Sequence, residues 1–238
     1  MRHKYNYILM DLDGTIIDSM QGITRSARYA LRHFGIHVDN LEELRPFIGP
    51  PLKYSFMEFY GFSDVQSDAA VQKYRERYAA KGVHENTVYE GMERFLQHMR
   101  QCGKTCLLAT SKASHFAEQI LTELRLRHYF AFIGGSGLDG SRSTKADVIR
   151  YVLDEQGITD TSEVVMVGDR KYDVAGARQV GVDSIGVLYG YGSKEELQQA
   201  GATHIVRDVH ELERVLCPHF ISHEQKCGMP QMEGRGSG

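Results

Sequence analysis

The sequence predicts an α/β protein, a doubly wound parallel sheet with an all-helical insert after its first strand. Three observations lead there. Short apolar, β-branched runs recur without the polar alternation of a half-solvated sheet. Amphipathic stretches long enough for helices separate most of these runs, the rhythm of parallel strands covered on both faces. From Gln21 to about Lys81 that rhythm breaks, and only helical patterns remain.

In chain order, Tyr7 to Met10 is the first buried strand. Ile23, Ala27, Ala30, Leu31 and Phe34 then form one helical stripe, Leu52, Phe56 and Phe59 begin a second, and Val71 to Ala80 is a third. Between the first two, Arg45-Pro46-Phe47-Ile48-Gly49-Pro50-Pro51 holds three of the five prolines, so a stiff, irregular loop is expected. The alternation resumes with a helix over Gly91 to Gln101, which spaces Met92, Phe95, Leu96 and Met99 at helical intervals. Thr105 to Ala109, Phe130 to Ile133, Val164 to Val167, Ser184 to Leu188 and His204 to Val206 read as further strands. Phe116 to Leu126, Lys145 to Leu153 and Tyr172 to Val180 read as helices between them. Gly103, Gly157, Gly181 and Gly201 stand where helices end. The expected organisation is an α/β core over residues 1–18 and 85–216 and a helical cap over 19–84. Periodicity fails after about Pro218, so 217–238 is expected to be a flexible tail.

Composition excludes several classes. Lys and Arg total 28 against 31 Asp and Glu, a formal charge of −3, so there is no basic footprint for a nucleic-acid polymer. No apolar run approaches the ~18 residues of a membrane span, and the apolar run at Tyr7 is too short for a signal-peptide core. Four Cys in 238 residues make no disulfide scaffold, and with no export signal the expected location is a reducing cytoplasm.

Four groups carry the chemistry. Asp11-Leu12-Asp13-Gly14-Thr15 closes the first strand, and residues two apart on an extended segment share a face, so both carboxylates can enter one site. Thr110-Ser111-Lys112 closes the second core strand with hydroxyls and backbone N–H groups suited to phosphate oxygens. Lys145 follows the loop Asp139-Gly140-Ser141-Arg142-Ser143-Thr144, and Gly168-Asp169-Arg170-Lys171-Tyr172-Asp173 adds carboxylates at i and i+4. Each has an ordinary structural explanation: an Asp-Gly turn, a sheet-capping Thr110, a solvated Lys145, an Asp173 at a helix N-terminus. Together they all fall at carboxyl ends of strands or just beyond, where doubly wound sheets bind ligands.

These four motifs, in this order, resemble the haloacid dehalogenase (HAD) superfamily over roughly residues 5 to 216. The match is to the branch with a helical cap after the first motif. Phe47-Ile48-Gly49-Pro50-Pro51-Leu52, Leu138-Asp139-Gly140 with Lys145, and Gly186-Val187-Leu188-Tyr189-Gly190-Tyr191-Gly192 are similar to the phosphoglycolate phosphatase-like and 5′-nucleotidase-like subgroup. The resemblance implies a Rossmann-like core and a Mg²⁺-dependent phosphatase of small phosphate monoesters, phosphoglycolate or nucleoside 5′-monophosphates. Asp11 would be the nucleophile forming an aspartyl-phosphate, and Asp13 the general acid and then the base. Asp11, Asp169 and the carbonyl of Asp13 would hold Mg²⁺, while Asp173 joins through water or orients Lys145. Thr110, Ser111, Thr15 and Lys145 would bind phosphoryl oxygens. Apart from the resemblance, Arg45 and Lys53, cations flanking the proline-rich loop, are candidates to bind a carboxylate or second phosphate. Asp13 speaks against the dehalogenase branch, whose leaving halide needs no proton. Tyr172 departs from the His more usual in the subgroup.

The expected partner is a small phosphorylated metabolite, for a monomer or homodimer. Two other readings stand beside this one: a sugar phosphomutase, and a non-catalytic binding module on the same fold. Gly135-Ser136-Gly137-Leu138-Asp139-Gly140 spells a dinucleotide-binding string but falls late in the chain, outside its usual context. Cys217, His219, His223 and Cys227 form a run that can hold zinc, with spacing unlike a standard finger. Cys102 and Cys106 read as a helix end and a buried strand residue, and His33, His37 and His84 lie in or beside the cap.

Overall fold

The computed structural model describes residues 4–137, 141–142 and 144–218. The chain begins with β1 (Tyr7–Met10) and β2 (Ile17–Asp18), then enters α1 (Met20–His33), a 3-10 segment (Leu41–Phe47), α2 (Leu52–Tyr60) and α3 (Asp64–Ala80). It returns through β3 (Thr87–Val88) to α4 (Met92–Gln101), β4 (Thr105–Ala113), α5 (Ser114–Glu123) and β5 (Phe130–Ser136). Last come α6 (Lys145–Glu155), β6 (Val164–Gly168), α7 (Lys171–Val180), β7 (Asp183–Val187), α8 (Lys194–Ala200), β8 (His204–Val206) and α9 (Val209–Leu216).

Six strands make one parallel sheet in the order β5-β4-β1-β6-β7-β8. After β1 the chain builds outward on one side through β4 and β5, then on the other through β6, β7 and β8. The crevice where the order reverses therefore opens at the carboxyl ends of β1, β4 and β6. Met10 lies level with Leu108 on one side and Val167 on the other, which brings the segments after all three strands to one rim.

Both faces of the sheet are dry, because alternate residues point to opposite sides. Ile8 and Met10 join the larger apolar cluster with Phe95, Ile120 and Leu212. Leu9 turns to the other face and packs with Leu107, Met166, Val148, Ile149 and Val152. This explains why the strands read as continuous apolar runs. The glycines expected to close helices do so: Gly103, Gly157, Gly181 and Gly201 all have φ between +62° and +87°.

Three differences from expectation have local causes. α3 starts at Asp64 rather than near Val71, because Ser63 and Gln66 form a capping box there. Arg45 to Phe47 belong to a 3-10 segment around Pro46, so the irregular stretch shrinks to Ile48 to Pro51. β2 and β3 pair antiparallel, Ile17 opposite Val88 and Asp18 opposite Thr87, so the two passes beside α1–α3 are stitched together.

The cysteines need a correction. Cys102, at the end of α4, is disulfide-bonded to Cys217, after α9, across a sequence separation of 115. α4 and α9 pack together, and His98 and Arg94 of α4 both reach the buried Glu213 of α9, which brings the two helix ends side by side. Cys217 is thus bound to sulfur rather than available to zinc; His219, His223 and Cys227 lie outside the described residues. Cys106 is a buried free thiol in β4, its pKa pushed up to about 12 by burial. Among the described residues no helix is long and apolar enough to cross a membrane.

Candidate active site

The rim formed by β1, β4 and β6 carries a buried charged cluster. Asp11 comes directly after β1, and its backbone N–H donates to Val167 O at 2.9 Å, extending the sheet by one residue. Its side chain accepts from Leu12 N at 2.8 Å. Asp169 comes directly after β6 and is fully buried. Asp173, in the first turn of α7, accepts from Arg170 N at 3.1 Å, so the helix-capping explanation and a place in the cluster are both true of it.

Lys145 is the first residue of α6. Thr144 and Asp147 form a reciprocal capping box that starts the helix there. The ammonium lies 3.0 Å from Asp11 Oδ1 and 2.8 Å from Asp173 Oδ1, and donates to Ala109 O at 3.1 Å. Gly176 of α7 makes room for it, since a Cβ there would come within 2.9 Å of Lys145 Cβ. Burial opposes the ammonium charge, but Asp11 and Asp173 outweigh it and hold the pKa above its ordinary value.

The carboxylates outnumber their cation. Burial, then the neighbouring Asp173 and Asp11, pushes Asp169 well above the carboxylate range. Burial likewise pushes Asp173 up to about 6, against the pull of Lys145. Asp11, Asp169 and Asp173 each offer an oxygen within 4.8 Å of the others. Asp169 Oδ1 is buried with no hydrogen-bond partner among the described residues, while Oδ2 accepts from Tyr191 N at 2.7 Å. Three carboxylates, one of them with an unpartnered buried oxygen, and a surplus of buried negative charge fit a divalent cation such as Mg²⁺.

Gly14 makes the cluster possible. Its φ is +80°, and a Cβ there would lie 2.2 Å from Asp169 Oδ2. Only glycine lets the β1 turn pass so close to that carboxylate.

Above the cluster is a cavity of about 710 Å³ between the sheet rim and α1–α3. Asp11, Asp13, Thr110, Ser111 and Lys112 line its polar end; Phe47, Leu52, Val71 and Phe116 are among its apolar walls. Lys145, Asp169 and Asp173 are not on the wall. Lys53 is on it, but is paired with Asp64 at 2.8 Å and Asp68 at 2.9 Å. Arg45 is off the wall, its guanidinium 5.6 Å from the Tyr191 ring centroid. Thr15 is also off it: the side chain is fully buried and its carbonyl accepts from Tyr189 OH at 3.0 Å.

Three contributors escaped sequence reasoning. Lys112 Nζ lies 2.9 Å from Asp13 Oδ2 and donates to the hydroxyl of Tyr78, on α3, at 2.7 Å. Burial, then Asp13, holds the Tyr78 phenol well above its ordinary pKa, so it keeps its proton. Arg170 donates to Ile48 O at 2.6 Å, joining the β6 rim to the proline-rich loop. Lys112 stands in the Thr110-Ser111-Lys112 motif and Arg170 beside Asp169, so proximity was the available signal; a lone buried Tyr78 left none.

Residues 8–187 match the model of a family described as haloacid dehalogenase-like hydrolase. A 5′-nucleotidase of Pseudomonas aeruginosa is 42% identical over 216 residues, 91% of this chain and 97% of that one. A phosphoglycolate phosphatase of Pseudomonas fluorescens is 27% identical over 213 residues, 86% of this chain and 77% of that one. The crystal structure of a predicted phosphatase from Clostridium acetobutylicum superposes with a TM-score of 0.87 at 48% identity, covering 88% of this chain and 97% of that one.

Proposed function

The chain belongs to the haloacid dehalogenase-like hydrolases, and we propose that it is a Mg²⁺-dependent phosphatase of small phosphate monoesters working through an aspartyl-phosphate. The observation that carries this reading is the buried Asp11–Asp169–Asp173 cluster with Lys145, set directly beneath the polar end of the cavity.

Asp11, the one member of the cluster that also lines the cavity, attacks the phosphorus. Its oxygen forms the new bond as the ester oxygen departs, and Asp13 supplies that oxygen with a proton. In the second step Asp13 takes a proton from water, the water oxygen bonds to phosphorus, and the bond to Asp11 breaks. Thr110 and Ser111 donate to the phosphoryl oxygens from the end of β4. Lys145 holds Asp11 in place from behind, and Asp173 holds Lys145. Asp11, Asp169 and the Asp13 carbonyl would hold Mg²⁺, with Asp173 beside them. When bound, the ion offsets the negative charge that would otherwise repel a phosphate from a carboxylate. Helices α1–α3 act as a cap that keeps bulk water from the site and shapes the space for the leaving group.

The substrates are phosphoglycolate or nucleoside 5′-monophosphates, the chemistry named in the two curated relatives. The test is phosphate release from phosphoglycolate, purine and pyrimidine 5′-monophosphates and hexose phosphates, with Mg²⁺ and with EDTA, beside Asp11→Asn. Release that needs both Mg²⁺ and Asp11 is expected. No release from any ester by a folded, Mg²⁺-binding protein refutes the reading and moves the weight to a mutase or a binding module.

A further inference from the structure

Asp13 has two carboxylate oxygens in different circumstances. Oδ2 is pinned by Lys112 at 2.9 Å, in a pair whose side chains are only 8% and 10% exposed. Oδ1 is buried and without a hydrogen-bond partner among the described residues. Because Asp13 itself lines the cavity, that second oxygen is the one left for a reacting group. Lys112 in turn is held by a residue of α3. The Tyr78 hydroxyl accepts from its ammonium at 2.7 Å, and the ammonium lies 4.6 Å from the Tyr78 ring centroid. Tyr78 belongs to α3, in the helical insert, while Lys112 belongs to β4, in the sheet. A continuous chain of three residues, Tyr78, Lys112 and Asp13, therefore joins the insert to the rim.

We infer that Lys112 is a positioning residue for Asp13, and that Tyr78 makes this positioning conditional on α3 being docked over the rim. With α3 in place, Lys112 is clasped between phenol and carboxylate and fixes the Asp13 rotamer with Oδ1 free. With α3 withdrawn, Lys112 loses its Tyr78 partner and Asp13 loses a fixed anchor. Proton transfer needs the carboxylate oxygen within ~2.6–3.2 Å of the group it serves, so a rotamer set only in the docked state couples the chemistry to docking. Lys112 lies on the cavity wall beside Thr110 and Ser111, which makes phosphoryl binding the rival role. The two roles separate experimentally, because positioning acts through Asp13 and phosphoryl binding acts on every step.

This inference rests on the phosphatase reading, and p-nitrophenyl phosphate distinguishes their failures. Its leaving group departs without a proton, so forming the aspartyl-phosphate does not need Asp13, whereas hydrolysing that intermediate does. Rapid-quench kinetics with Mg²⁺ on Lys112→Met should show a burst near one equivalent of p-nitrophenolate at the wild-type rate. Steady turnover should then be slower by ~10–100-fold, a share of the 10²–10⁴ typical of acid–base catalysis. Lys112→Arg should recover much of the turnover, and Tyr78→Phe should show the same burst with a smaller, several-fold loss. A burst lost together with turnover, in a variant with the wild-type circular dichroism spectrum, assigns Lys112 to phosphoryl binding and overturns the inference. So does turnover equal to wild type in Lys112→Met, or in Tyr78→Phe if Lys112→Met does not fold. If wild type shows no turnover dependent on Mg²⁺ and Asp11 with p-nitrophenyl phosphate or with any ester of the panel above, the phosphatase reading itself falls and takes this one with it.

Discussion

Replacing Lys145 with Met tests the charge balance of the buried cluster without relying on any assay of turnover. The side chain is nearly isosteric, so little packing is lost, but the cation that bridges Asp11 and Asp173 disappears. At 3.0 and 2.8 Å, and with an effective dielectric constant near 20, each contact represents about 6 kcal/mol of gross attraction. Most of that offsets the cost of desolvating the groups, which are 2–4% exposed. Measured losses on removing one partner of a buried pair run to about 3–5 kcal/mol, the remainder that matters here. A chain of 238 residues has an unfolding entropy of about 0.5 kcal/mol per kelvin at its midpoint. The expected fall in Tm is therefore ~6–10 °C, followed by circular dichroism in EDTA. Added Mg²⁺ should narrow the gap, because the cation supplies positive charge that the variant lacks. A difference under ~2 °C in EDTA would sink the reasoning, since it corresponds to no more than about 1 kcal/mol.

Three further outcomes are expected. Gly14→Ala places a methyl 2.2 Å from Asp169 Oδ2 on a backbone at φ +80°, so Asp169 must shift; isothermal titration should show Mg²⁺ binding ~10–100-fold weaker, and unchanged affinity would refute it. Glu85 is raised by burial but pulled further down by Arg77 and Arg25, leaving its folded pKa below the ordinary value. Its contribution is therefore present above the unfolded pKa and lost as pH falls through the folded one. Glu85→Gln should cost on the order of 1 kcal/mol at pH 7, with the gap to wild type closing below about pH 4 in thermal melts. Cys102→Ser should lower stability by about 2–4 kcal/mol, and reductant should bring wild type down to the same Tm; equal melts with and without reductant would contradict the pairing.

The six sheet strands were legible because burial on both faces leaves continuous apolar runs, such as Val164 to Val167, bounded by glycine and polar turns. Asp11, Thr110 and Asp169 were legible for a topological reason: a doubly wound sheet delivers the ends of β1, β4 and β6 to one rim whatever the side chains in between. What could not be read depends on distance in sequence or on elements too short to have a period. Cys102 and Cys217 are 115 residues apart, and nothing local marks them as partners. Lys112 and Tyr78 meet across 34 residues through the docking of a helix on a sheet. β2 and β3 have two residues each, fewer than any alternation needs. Charge alone gave Arg45 and Lys53 equal standing as anion binders; the structure turns one toward Tyr191 and gives the other two carboxylates.

The two-residue ribbon of Ile17–Asp18 against Thr87–Val88 has an engineering consequence. Opposed residues of an antiparallel pair are ~4.5–5.5 Å apart, a gap that a two-residue turn closes. Residues 19 to 86 thus leave and rejoin the chain at what is geometrically one address. The stretch is a cassette: it can be cut out and replaced by a tight Asn-Gly hairpin, or exchanged for a helical segment from another chain with the same two-strand entrance. Such a transplant would carry a new ceiling for the cavity while leaving Asp11, Lys145 and Asp169 untouched, provided that it brings a partner for Lys112 where Tyr78 now stands.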